Sequence, residues 1–86
     1  MSVRRLKQTA IWREADGEVI AIDEQLTNYV STNSTGALLW SQLADGATPD
    51  ELADRLVGAY GIDRDRAERD VAAFIADLDA HGFLED

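Results

Sequence analysis

Cysteine is absent from the 86-residue chain, and histidine occurs once. Without thiols the protein has no disulfide, no thiolate metal ligand and no cysteine nucleophile, a composition that suits a reducing compartment such as the cytoplasm. The lone His81 precedes Gly82 at the end of a helical pattern, where a histidine usually lies at the surface near the negative end of the helix dipole. We therefore expect a cytoplasmic protein that holds neither a metal nor a cofactor.

Long apolar runs and positive charge are also scarce. No run approaches the roughly 20 apolar residues that cross a bilayer, and no apolar stretch follows the basic Met1–Lys7 segment, so we expect neither a membrane span nor a signal peptide. Lysine and arginine number 8 against 17 acidic residues, giving a formal net charge of -9. Such a surface repels a phosphate backbone, and we expect no nucleic-acid partner.

The residues that carry enzyme chemistry do not form a recognisable constellation. Ser34 and Ser41 have no evident partner base, and Gly58 and Gly61 lack the lysine and preceding strand of a phosphate loop. The acidic residues near the C-terminus alternate with arginines, as they do on a solvated helix surface, and do not match a calcium loop. A chain this short also has little interior left for a catalytic pocket. We expect a binding protein and not an enzyme.

The composition that remains is globular, with 45% apolar and 29% charged residues. The length allows one small domain. Its first third predicts strands, because Thr9–Glu14 and Glu18–Asp23 flank Asp16-Gly17, a dipeptide that favours a tight hairpin turn. Leu26–Thr32 predicts a third strand, with Val30 and Thr32 on one face.

From Ser34 onwards the apolar period changes from two to about 3.6, which predicts three helices. Ser34 is the expected N-cap of the first helix, which stops before Gly46. Thr48, Pro49 and Glu51 carry a capping hydroxyl, a first-turn proline and a capping-box carboxylate for the second helix. The third helix is expected between a cap at Asp63 and Gly82. Apolar stripes on these helices predict core positions for Leu38, Leu39, Trp40, Leu43, Leu52, Leu56, Val57, Tyr60, Ala67, Val71, Phe74, Ile75 and Leu78.

Two segments of the sequence resemble the PqqD family. Asn33–Trp40, followed by Leu43–Gly46 and Thr48, is similar to the junction where that family passes from its third strand into its helices. The second match, to the closing helix of the family, consists of Asp70, Val71, Phe74, Leu78 and Gly82–Leu84. With the upstream hairpin, the similarity runs from Thr9 to Leu84. Thr32 departs from the leucine that is usual in the family, and Met1–Ala10 lacks the Pro-Gly segment common in quinone-pathway members.

The resemblance implies an α+β, winged-helix-like domain over residues 1–86, ordered over residues 9–84, with a three-stranded antiparallel sheet followed by three helices. Such domains recognise the leader of a ribosomally made, post-translationally modified peptide. The leader pairs with the third strand as an extra strand and lies against the third helix, which is physically sensible because an edge strand has unpaired N–H and C=O groups. Among family members, the Asn33–Ala37 run before Trp40 and the free-standing length look most like the recognition proteins of lasso peptide biosynthesis. They act beside a leader peptidase and an ATP-dependent cyclase, on leaders with a Tyr-x-x-Pro element.

Three other functions stay open. A PqqD-type chaperone would present its precursor to a radical enzyme in pyrroloquinoline quinone biosynthesis. A winged-helix DNA-binding regulator would need a basic recognition helix, whereas the candidate helices here carry mixed charge. A dimerisation module could use the same open strand edge.

Carried over to this sequence, the resemblance implies a peptide-binding site on the third strand and third helix. On the helix, Asp70 is placed to accept a hydrogen bond from a leader tyrosine hydroxyl, and the small Ala73 leaves room for a proline or leucine. A proline at Val30 is expected to delete an N–H at the docking edge. The docking edge comprises Asn28, Tyr29, Val30, Ser31 and Thr32; the groove wall comprises Arg66, Asp70, Ala73 and Asp77, with Phe74 as its apolar floor.

Overall fold

The computed structural model of the protein describes residues 3–22 and 29–85. These residues form an α+β fold of three antiparallel strands followed by three helices, as predicted, and the arrangement is compatible with a winged helix. The strands are β1 (Ile11–Ala15), β2 (Glu18–Ile22) and β3 (Tyr29–Thr32), and the helices are α1 (Ser34–Asp45), α2 (Pro49–Tyr60) and α3 (Arg64–Ala80).

The first two strands form the predicted hairpin. Asp16 and Gly17 have φ of 55° and 77°, the paired positive values that a two-residue turn of the primed type requires. Ala15 and Glu18 pair directly across this turn, so β1 extends one residue beyond the predicted end at Glu14. Its predicted start at Thr9 is wrong, because the Ala10 N–H donates to the Lys7 carbonyl at 3.2 Å and closes a turn there.

The third strand lies at one end of the sheet, in the order β1-β2-β3. Val30 and Thr32 are opposite Ala21 and Val19 and share their inward face, which confirms the predicted alternation. Tyr29 lies on the other face and is 62% exposed. The remaining parts of the predicted second and third strands, Asp23 and Leu26–Asn28, lie outside the described residues.

Local capping signals position the helices. The capping box at Thr48 is present, since the Glu51 N–H donates to the Thr48 hydroxyl at 3.2 Å and the Thr48 N–H donates to the Glu51 carboxylate at 2.8 Å. Asp63 caps α3 by accepting from the Arg66 N–H. The predicted N-cap Ser34 is wrong: it is already helical, and Asn33, in an extended conformation, accepts the Gly36 N–H at 2.9 Å.

The core lies between the inward face of the sheet and the helices. Trp40 is fully buried, and its ring packs edge-on against Trp12 and Phe83, with centroids 5.9 and 5.8 Å away. Tyr60 was expected in this core and is instead 48% exposed, because it is the last residue of α2, where the chain turns away through Gly61. Among the described helices, none is long and apolar enough to span a membrane.

Candidate functional site

A groove of about 650 Å³ runs between β3, the N-terminus of α1 and α3. Its floor is apolar: Leu39 and Leu78 are buried there, and Phe74 is half-buried. The other lining residues are Val30, Ser31, Thr32, Asn33, Thr35, Gly36, Asp70, Ala73 and Asp77.

The register of the sheet determines which backbone N–H and C=O groups of β3 point to β2 and which point to the open edge beside the groove. Ala15 and Glu18 flank a two-residue turn, so they exchange hydrogen bonds with each other, and bonding direction then alternates along β2. Val19 therefore directs its N–H towards β3, where it donates to the Thr32 hydroxyl at 3.3 Å. It follows that Thr32 and Val30, which are opposite Val19 and Ala21, direct their N–H and C=O groups to β2. The alternate residues Ser31 and Tyr29 direct theirs to the open edge.

The open edge of β3 thus carries the N–H and C=O groups of Tyr29 and Ser31. Among the described residues, no strand pairs with this edge. The expectation that Val30 contributes a docking N–H is wrong, because Val30 is opposite Ala21 and its N–H points towards β2. Sequence alternation showed which side chains share a face, but the direction of each N–H required the observed register.

Gly36 allows α1 to approach the rest of the groove. A Cβ atom at this position would lie 2.7 Å from the Thr32 Cβ and 3.3 Å from the Phe74 Cε1. The missing side chain therefore lets the β3–α1 junction and the α3 floor come together. Sequence reasoning did not assign Gly36 to the site, although a glycine in the first turn of a helix, just after the docking strand, is a signal for such close approach.

The α3 wall has a charged margin. Asp70, Ala73 and Asp77 line the groove, whereas Arg66 lies outside it and has its Nε 3.8 Å from the Asp70 Oδ2. At the other end, the His81 Nδ1 lies 3.8 Å from the Asp77 Oδ1 and 2.8 Å from the Asp77 carbonyl oxygen. The charged residues in the described lining, Asp70 and Asp77, are both acidic.

The structure brings together most of the site residues expected from the sequence. Tyr29 is on the docking strand, but its side chain lies on the opposite face of the sheet, and Asn28 lies outside the described residues. The expected residues that line one groove are Val30, Ser31, Thr32, Asp70, Ala73, Phe74 and Asp77. Lining residues that sequence reasoning missed are Asn33, Thr35, Gly36, Leu39 and Leu78. Asn33 caps α1 and the next three lie in its first half, so their signal was their place directly after β3. The signal for Leu78 was its place on α3 beside Asp77.

Within the described part of the chain, no group of three histidine, cysteine or acidic residues is arranged to hold a metal ion. The described lining of the groove instead combines an apolar floor, hydroxyl and amide side chains and two carboxylates with a strand edge that no described strand pairs with. This combination can hold an extended peptide by backbone hydrogen bonds while pockets read its side chains.

Comparison with known protein families shows which family the chain belongs to. The sequence profile of the family described as coenzyme PQQ synthesis protein D (PqqD) matches residues 18–84. The chain belongs to the PqqD family. The match begins at β2 and includes β3, α1 and α3, so all three elements of the groove are part of the PqqD domain. Comparison with curated proteins finds no match.

Two solved structures share the PqqD fold seen here. TbiB1 in complex with the TbiA(beta) leader peptide is 28% identical, with a TM-score of 0.86 and 94% of each chain covered. Lasso peptide synthetase B1 complexed with the leader peptide is 30% identical, with a TM-score of 0.83, covering 96% of this chain and 98% of the other. The predicted resemblance to PqqD-like recognition elements is confirmed, and these two relatives bind leader peptides.

Proposed function

We propose that this PqqD-family protein binds the leader region of a ribosomally synthesised precursor peptide in lasso peptide biosynthesis. The leader adds to β3 as a fourth strand, lies against α3, and is thereby presented to a leader peptidase and a cyclase. One observation carries the proposal: a strand edge with which no described strand pairs runs beside a groove, in a fold shared with two proteins that were solved with leader peptides.

Backbone pairing supplies the part of the affinity that does not depend on leader sequence. Tyr29 and Ser31 each direct an N–H and a C=O to the open edge. Each hydrogen bond made there contributes about 0.5–1.5 kcal/mol net. Leader side chains then alternate: those on the Val30 face enter the groove, and those between them lie beside Tyr29 and Ser31 on the other face of the sheet.

The groove side chains supply selectivity. Phe74 forms an apolar floor, the exposed Ala73 leaves space above it, and the Asp70 carboxylate can accept a hydrogen bond from a tyrosine hydroxyl. In a Tyr-x-x-Pro element the two named residues are three apart, so a regular strand directs them to opposite faces. Only one of them enters the groove from a continuous strand. Proline has no N–H to pair, so we place it where the added strand ends.

Binding and presentation, without catalysis, suit the chemistry of the groove. Its described lining includes the hydroxyl-bearing Thr32 and Thr35 and two carboxylates, but no histidine, lysine or cysteine to activate a nucleophile. The chemical steps then belong to partner enzymes that act on the bound precursor.

The second candidate is a PqqD-type chaperone for pyrroloquinoline quinone biosynthesis, and the family description favours it. It would use the same groove and strand edge on a different precursor. The two leader-complex structures favour the lasso pathway, since one is named as a lasso peptide synthetase component. A DNA-binding winged helix is disfavoured by the net charge of -9.

Titration of the purified protein with synthetic leaders tests the proposal. The leader of the precursor encoded beside this gene is compared with a quinone-precursor peptide and with duplex DNA. We expect a dissociation constant below about 1 μM for the leader, in the range of a specific peptide complex. Preference for the quinone precursor supports the second candidate. Salt-sensitive duplex binding without leader binding overturns the proposal.

A further inference from the structure

The two carboxylates of the groove differ in their surroundings. Asp70 has the guanidinium of Arg66 nearby, with Nε 3.8 Å from Oδ2. Asp77 has no lysine or arginine nitrogen within 4.0 Å among the described residues, and its side chain is 69% exposed. The His81 imidazole, with Nδ1 3.8 Å from the Asp77 Oδ1, carries charge only when it is protonated. Asp77 is thus a carboxylate on the groove wall that lacks a permanent cationic partner within the described chain.

Asp70 and Asp77 are far enough apart on α3 to meet different parts of a peptide in the groove. They are seven residues apart on α3, which is two turns, or about 10.5 Å along the helix axis. Ala73 and Phe74 lie between them on the groove side. A leader side chain that contacts Asp70 therefore does not reach Asp77, and a second leader side chain can contact Asp77.

We propose that Asp77 selects a lysine or arginine side chain in the leader. This inference rests on the proposed function, because it names the chemistry of one leader position in the same groove. A peptide lying in the groove takes water away from the Asp77 carboxylate, and a cationic side chain replaces that water with a charge-assisted hydrogen bond. An acidic leader residue at the same position would be repelled by the Asp77 carboxylate. The net charge of -9 adds a long-range attraction for a basic leader.

Asp79 provides a matched control on the same helix. Its side chain is also exposed, at 58%, but it lies outside the groove, with its Oδ1 3.5 Å from the Arg4 Nη2. Asp77→Asn and Asp79→Asn both change the net charge from -9 to -8 (-9 + 1). A difference between the two variants therefore reports the local contact and not the overall charge.

The test uses the synthetic leader of the neighbouring precursor as host peptide. Each position is replaced in turn by lysine and by glutamate, and affinities are measured for the wild type, Asp77→Asn, Asp79→Asn and Asp77→Lys at low and high salt. We expect one position at which lysine binds about tenfold more tightly than glutamate in the wild type, since an attraction replaces a repulsion. Asp79→Asn keeps this preference, Asp77→Asn removes it, and Asp77→Lys inverts it.

A lysine preference that is the same in Asp77→Asn as in Asp79→Asn overturns the inference, as does the lack of a preference at every position. In either case tight binding of the unmodified leader leaves the proposed function standing. If the wild type binds no leader peptide at all, both the proposed function and the inference are wrong.

Discussion

Gly36 links the fold to the groove at the scale of a single residue. It follows the N-cap Asn33 by three positions, and its backbone N–H is held by that side chain. Its lack of a Cβ leaves space for Thr32 on one side and Phe74 on the other. Gly36 therefore has two roles: its N–H takes part in the N-cap of α1, and its lack of a side chain lets α1 pack closely against α3.

Gly36→Ala is expected to weaken both stability and leader binding. The added methyl would lie 2.7 Å from the Thr32 Cβ, which must move, and 3.3 Å from the Phe74 ring, which must also give way slightly. Such overpacking costs about 1–3 kcal/mol. Denaturant unfolding measures the first effect and leader titration the second.

Gly58→Ala is the matched control for this prediction. Gly58 lies inside α2, and a Cβ there meets nothing within 4 Å. Alanine is expected to raise the free energy of unfolding by about 0.5–1 kcal/mol, through its helix propensity, and to leave leader affinity unchanged. If Gly36→Ala matched Gly58→Ala in both measurements, the close packing at Gly36 would have no role.

At the scale of elements, β3 decides how a peptide can bind. Its four residues alternate between bonding to β2 and facing the open edge. Ser31 is the clearest point at which to test this, because it faces the edge from within the strand. Proline is tolerated at such a position, since the N–H that it removes is not part of the sheet.

Ser31→Pro is expected to lower leader affinity by about tenfold or more, because it deletes one docking N–H and its ring obstructs the edge. Ser31→Ala keeps the N–H and is expected to bind normally. Val30→Pro removes a bond to β2 and should instead lower stability. Titration combined with thermal unfolding separates these effects; a folded Ser31→Pro variant with wild-type affinity would exclude β3 as the docking strand.

The elements also show which features local sequence can predict. The Asp16-Gly17 turn and the Thr48 capping box depend on neighbouring residues, and both were predicted correctly. The N-cap of α1 was misassigned because Asn33 and Ser34 are both good capping residues. Which of them caps the helix depends on the residue at which β3 ends.

Features that depend on distant contacts were not predictable. The outward N–H groups of β3 follow from a register set by the β1–β2 turn, and the exposure of Tyr60 follows from the end of α2. The lining role of Gly36 requires Phe74 to come from the other end of the chain. The family resemblance indicated β3 and α3 as the site, whereas the α1 contribution became evident only in three dimensions.

At the scale of the whole molecule, the three-stranded sheet has one edge beside a groove walled by α3. The N-terminal segment and the C-terminus pair with each other, through Leu6 and Leu84, and Arg4 pairs with Ala47. These pairings fix the first and last described segments by backbone contacts outside the groove lining. A leader can therefore add to β3 without displacing an element that the structure describes.

Residue-resolved amide hydrogen exchange, measured with and without a leader peptide, tests strand addition most directly. In the free protein we expect the Val30 and Thr32 amides to be protected by β2, and those of Tyr29 and Ser31 to exchange readily from the open edge. Bound leader should slow exchange at Tyr29 and Ser31 specifically. A leader that binds tightly while both amides exchange as fast as in the free protein would contradict the account.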